Sequence, residues 1–66
     1  MPKHTRGKVL EHFEGVHRNC EAIKAHCEKA IILIADQNPE WSKAVGLLLQ
    51  LNDEVDRTAQ QLYGLL

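Results

Sequence analysis

The stretch "DQNPEW", residues 36–41, decides how this 66-residue chain folds. Asn38 precedes a proline, which disfavours helical backbone geometry at Asn38 itself. The same asparagine is a good helix N-cap, and Pro39 loses no hydrogen bond at the first helical position. Glu40 places a negative charge in the first turn, where it meets the positive end of the helix dipole. The stretch therefore predicts that one helix ends near Asp36 and that another begins at Pro39.

Upstream of this stretch, apolar residues recur at alternating spacings of four and three, with no proline among them. The resulting average of about 3.5 residues is the period of a left-handed coiled-coil seam. Thr5 precedes the seam and is a suitable N-cap residue. The sequence thus predicts helix 1 over about residues 6–36. The seam consists of Val9, Phe13, Val16, Cys20, Ile23, Cys27, Ala30 and Ile34.

Downstream of the stretch, apolar residues repeat every seven positions and form a broader stripe, which is typical of a bundle helix. The repeat is Trp41, Leu48, Val55 and Leu62, widened by the neighbouring rows Ala44, Leu51, Thr58 and Leu65 and Val45, Asn52, Ala59 and Leu66. Gly64 is a candidate C-cap, so helix 2 is predicted over about residues 39–63, after a turn at residues 37–38. Two long helices joined by so short a connection must lie antiparallel. The sequence therefore predicts an all-α fold, a single helical hairpin covering residues 1–66.

One hairpin is not expected to be the final state of this chain. A chain of this length buries only about 60% of its unfolded surface. Near the turn both helices are apolar on more than one face, and a helix that is apolar all round is buried all round. The simplest arrangement is a dimeric four-helix bundle of two hairpins. The predicted interface, with a second copy or with another protein, is formed by Ile32, Leu33, Trp41, Leu47 and Leu49.

The segment "HRNCEAIKAHC", residues 17–27, raises the question of a metal site. His17 and Cys20 are one turn apart and can meet, whereas Cys20 and Cys27 are separated by about 10.5 Å along the axis. Since a zinc site needs both sulfurs about 2.3 Å from one ion, a site would require His17 and Cys20 from each of two copies. Both cysteines lie in the seam, where free cysteine behaves as a small apolar residue. We therefore favour the absence of a metal or cofactor and keep a metal-responsive dimer as an alternative.

Three histidines, His12, His17 and His26, flank the seam of helix 1. Histidine is the side chain that changes charge near neutral pH. Protonation of rings beside an apolar seam predicts that self-association weakens below about pH 6.

The charge is unevenly distributed, although the net charge is only −1. The first eight residues carry Lys3, Arg6 and Lys8 and no acidic residue. Positive charge at a helix N-terminus opposes the helix dipole, so these residues do not serve helix stability. We favour a solubilising tail, with a contact for an anionic partner as the alternative. Three charges without interleaved aromatic residues would make only a weak nucleic-acid binder.

Other functional classes find little support in the sequence. The single serine, Ser42, has no histidine within helical reach, and no glycine-rich phosphate loop exists, so we do not expect an enzyme. The longest apolar run, residues 30–35, is shorter than the roughly 18 residues of a membrane span. No apolar run typical of a signal peptide opens the chain, which predicts a cytoplasmic location. The sequence favours a small homo-oligomeric protein-interaction module, a regulator or adaptor.

Overall fold

The computed structural model describes residues 3–34 and 37–66, with Lys3 and His4 described by their backbone alone. Two α-helices, α1 at Lys3–Ile34 and α2 at Pro39–Leu65, make up the described fold. They pack against each other as an antiparallel hairpin, which confirms the predicted all-α architecture. The Cα positions span 53 × 14 × 11 Å, so the hairpin is a thin rod.

The connection between the helices has the predicted chemistry. Asn38 is extended (φ −151°, ψ 92°), and its Oδ1 accepts a hydrogen bond of 3.1 Å from the Trp41 amide. Pro39 follows at the first position of α2. The amides of Gln37 and Asn38 both donate to the carbonyl of Ile34, at 3.0 and 3.1 Å, and so satisfy that carbonyl. The predicted end of helix 1 near Asp36 falls outside the described residues.

The outer ends of both helices differ from the prediction. Lys3 and His4 are already helical, so Thr5 lies inside the first turn of α1 and does not cap it. α2 continues through Gly64 to Leu65, and the Leu66 amide donates to the Tyr63 carbonyl at 3.3 Å. A glycine C-cap needs a left-handed backbone, and no glycine has a positive φ. Gly64 is therefore an ordinary helical residue.

The contact between the helices is built from small side chains. Only Cys20, Cys27, Asn52 and Ala59 are buried among the residues described, and no large side chain is completely enclosed. The Asn52 amide donates a buried hydrogen bond of 2.9 Å to the Cys20 carbonyl. A buried asparagine in a helical seam fixes the pairing register at a cost in stability. The interior thus specifies how the helices align but buries little apolar area.

Candidate functional site

One side of the hairpin carries a continuous apolar surface, which we call the apolar face. Its residues are Val16 and Ile23 on α1 and Trp41, Leu48, Leu51, Val55 and Leu62 on α2. The α2 members follow the coiled-coil spacing over three heptads, and Ile23 shares the heptad edge of Val16. Side chains at this spacing project from one side of a helix, so they form a single stripe along the rod.

The apolar face is exposed because α2 packs on α1 with a different edge. Asn52 and Ala59 are buried, and Val45, one heptad before Asn52, is half-buried. Trp41 and Val55, by contrast, remain 62% and 54% exposed. α2 therefore carries two neighbouring seams, of which the hairpin covers one. Contiguous exposed apolar surface of this kind marks a site of interaction with another molecule.

A groove opens on the apolar face toward the end of the hairpin that lies away from the turn. Its volume is about 500 Å³, and it is lined mainly by Phe13, Val16, Val55, Thr58 and Leu62. Leu51, Glu54 and Ala59 complete the lining. Its walls come from both helices, and six of its eight lining residues are apolar, so the groove is suited to apolar side chains.

The five residues of the predicted interface do not all lie at the surface. Ile32, Leu33, Trp41 and Leu47 are exposed, as an interface requires. Leu49 is half-buried and lies one heptad before Asp56, whose carboxylate reaches α1. Leu49 is therefore less accessible than the other four, and its place in an interface stays a prediction. Four further large apolar residues that were not part of the prediction are also exposed, namely Leu48, Leu51, Val55 and Leu62.

A network of polar side chains, which we call the polar edge, links the two helices through His17 and Glu14 of α1. His17 Nδ1 lies 2.8 Å from Asp56 Oδ1 and 3.2 Å from Gln60 Nε2. The Tyr63 hydroxyl donates to Glu14 Oε1 at 3.0 Å. The His17–Asp56 and Tyr63–Glu14 hydrogen bonds tie the middle of α1 to the second half of α2. The Gln60 amide can donate to His17 Nδ1 only when that nitrogen carries no proton. These contacts are exposed or partly exposed, so each is worth little alone.

The electrostatics of the polar edge follow from these contacts. The hydrogen bond with Asp56 and the charge of that carboxylate raise the pKa of His17, against a smaller opposing effect of desolvation. Glu21 adds to the rise, and Arg18 opposes it. The pKa of Tyr63 is raised because its hydroxyl is bonded to Glu14. The protonated form of His17 is therefore the form that the hairpin favours.

A pH dependence of stability follows from the His17–Asp56 pair. Because the folded pKa lies above the unfolded value, its stabilisation is complete below about pH 6.5 and is lost as the pH rises through the folded pKa. We expect Asp56→Asn to lower the melting temperature at pH 5 and to have less effect at pH 8. Asp53→Asn, which removes an equal charge one turn earlier, is the control in thermal denaturation.

If Asp56→Asn lowered the melting temperature equally at pH 5 and pH 8, the pH dependence would not come from the His17–Asp56 pair. Protonation of His17 strengthens a contact within one hairpin, which is a different equilibrium from association between copies. The expectation that association weakens below about pH 6 stays a prediction for His12, His17 and His26.

One group of possible metal ligands exists among residues 3–34 and 37–66. Potential ligand atoms of His17, Glu21 and Asp56 lie within 4.8 Å of one another, a nitrogen and two oxygens that zinc accepts. Cys20, the predicted companion of His17, is outside this group and buried. Burial raises the pKa of the Cys20 thiol and so disfavours the thiolate that binds metals. The His17–Asp56 hydrogen bond and the position of Glu21 one helical turn after His17 account for the closeness of the group.

The basic start of the chain lies along the first turns of α1. Arg6 and Lys8 are exposed there, whereas the side chain of Lys3 falls outside the described part of the structure. The anionic contact predicted for these three residues stays a prediction.

The described residues thus offer one extended apolar surface, suited to burial against another protein surface, and one polar edge, suited to holding the hairpin together. Neither α1 nor α2, as described, has the length and apolar character needed to cross a membrane. No protein-family model, no curated protein and no solved structure matches the chain.

Proposed function

We propose that this protein is a homo-oligomeric helical interaction module, which pairs with a second copy and binds another protein as a regulator or adaptor. The observation that carries the proposal is the apolar face. Large apolar side chains of α2 follow coiled-coil spacing and yet remain about half exposed in the hairpin, as Leu48, Leu51 and Val55 illustrate.

The total surface of the hairpin supports pairing. Its solvent-accessible area is 5345 Å². A compact protein of 7.5 kDa is expected to expose about 4,200 Å². The excess of about 1,100 Å² exceeds the roughly 800 Å² that each partner buries in a standard protein interface. The excess is therefore large enough to supply one such interface on each copy.

A contact with a different protein is supported by apolar residues outside the apolar face. Ile32 is 78% exposed and lies on neither heptad edge of the α1 seam. Pairing through the apolar face would leave this side chain in water. An exposed apolar residue of this size near the turn is suited to anchor a second partner.

The test combines the mass of the protein with capture of its partner. Sedimentation equilibrium at micromolar concentration is expected to give twice the chain mass or more. A tagged Ile32→Glu variant is expected to keep that mass but to lose proteins that the wild type captures from its native lysate. The control is Ala25→Glu, one heptad earlier and also exposed, which adds the same charge without removing a large apolar side chain. A concentration-independent monomer would refute the pairing, and equal capture by Ile32→Glu would refute the second contact.

The apolar face also weighs against two alternative functions. A metal-responsive dimer would now use His17, Glu21 and Asp56 in place of His17 and Cys20. A weak nucleic-acid binder would use the basic start of α1. Neither a metal ion nor a phosphate backbone would cover an apolar stripe that runs along the whole of α2, so an interaction module accounts for more of the surface.

A further inference from the structure

The two ends of the apolar face differ in shape. Near the turn, the face carries its largest and most exposed side chain, Trp41, which is 62% exposed. Toward the other end the face is hollowed by the groove between Phe13 and Leu62. A second copy carries the same two ends, so its orientation decides whether projecting side chains meet projecting side chains or a groove.

The two possible symmetric pairings can be compared residue by residue. If the two α2 helices are parallel, each residue lies beside the same residue of the other copy. Trp41 then lies beside Trp41, and the groove lies beside an identical groove. With the two α2 helices antiparallel about their midpoint near Leu51, Trp41 falls beside Leu62 and Leu65 of the second copy. Only the antiparallel pairing fills a groove of about 500 Å³ with a bulky side chain.

The distribution of charge favours the same orientation. The first eight residues carry a formal charge of +3, and residues 28–40, on both sides of the turn, carry −2. A parallel pairing would place two basic ends side by side. The antiparallel pairing places the basic end of each copy beside the acidic turn of the other, for example with Lys8 near Glu40.

We propose that the apolar face is occupied by a second copy of this chain with its α2 antiparallel, so that Trp41 of each copy seats in the groove between Phe13 and Leu62 of the other. The proposal rests on the pairing described above and adds its orientation. In this arrangement the twofold axis of the dimer crosses α2 near Leu51.

The orientation can be read from distances between copies in the unmodified protein. A sample mixed from ¹³C-labelled and unlabelled chains is analysed by isotope-filtered nuclear Overhauser spectroscopy, in which Trp41 is the only tryptophan. Contacts between copies are expected from the Trp41 indole to the methyl groups of Leu62 and to the Phe13 ring.

The other outcomes separate two kinds of failure. Contacts between copies from Trp41 to Ala44 and Leu48, without contacts to Leu62, would overturn the antiparallel orientation and leave self-association intact. A sample that shows no contacts between copies and sediments at 7.5 kDa would overturn both the orientation and the pairing.

Discussion

A Leu51→Glu substitution is expected to convert the self-associated protein into a monomer. Leu51 is 52% exposed within one hairpin, so the carboxylate can be accommodated there without disturbing the contact between α1 and α2. In the paired state the same carboxylate would be removed from water and would face its own copy across the twofold axis. We expect association to weaken at least 100-fold, on the order of 3 kcal/mol.

The control for this variant is Gln50→Glu. Gln50 is the preceding residue of α2 and is exposed, but it lies outside the apolar face. It introduces the same charge at almost the same place along the helix. Sedimentation equilibrium gives the mass of each variant, and circular dichroism gives its melting temperature over a range of concentrations. The wild type and Gln50→Glu are expected to melt higher as concentration rises, which Leu51→Glu should not do. Equal dissociation of both variants would contradict the assignment of the face.

An Asn52→Asp substitution is expected to unfold the hairpin at neutral pH. It replaces the amide nitrogen that donates to the Cys20 carbonyl, at 2.9 Å, by a carboxylate oxygen of nearly the same size. Two acceptors then face each other in a buried position, and Asp53 and Asp56 add negative charge nearby. Leaving a buried charge without a partner costs about 3–5 kcal/mol, most of the stability that a chain of this size can have.

The pH dependence of this variant distinguishes an electrostatic cause from a steric one. Burial beside a carbonyl raises the pKa of the new carboxyl, and its protonated form can again donate to Cys20. We therefore expect helical circular dichroism to return as the pH is lowered toward 4. Asn19→Asp, the same chemical change at an exposed position of α1, should remain folded at both pH values. An Asn52→Asp protein that melts like the wild type at pH 7 would show that the buried hydrogen bond does not specify the pairing.

Most of the fold follows from local sequence chemistry. Asn38 and Pro39 define the start of α2 through a cap and a fixed φ, both properties of the residues themselves. The alternating spacing of α1 places Cys20 and Cys27 in the contact between the helices, where they are buried. The ends were harder to predict because Thr5 and Gly64 tolerate helical geometry as readily as capping geometry when a helix continues past them.

The division of α2 into two seams could not be predicted from its periodicity alone. Two neighbouring edges of α2 repeat with the same period of seven residues. The first edge consists of Trp41, Leu48 and Val55, and the second of Val45, Asn52 and Ala59. The apolar character of the first edge favours burial, yet the hairpin buries the second, which contains an asparagine. The side chains of the two edges do differ in size. The small residues and the amide of the second edge suit a close contact between helices with a fixed register, whereas the large residues of the first edge suit a contact between more widely spaced helices. The polar edge could not be predicted either, because pairing His17 with Asp56 requires the exact alignment of the helices.

The small side chains between α1 and α2 have a consequence for the degradation of this protein in a cell. With Cys20, Cys27 and Ala59 as the buried apolar residues of the described part of the chain, we expect a solitary hairpin to open to proteases more readily than a protein with a large core. The proposed pairing would withdraw chains from that open population, to a greater extent as their concentration rises. We therefore expect scarce copies to be degraded faster than abundant ones.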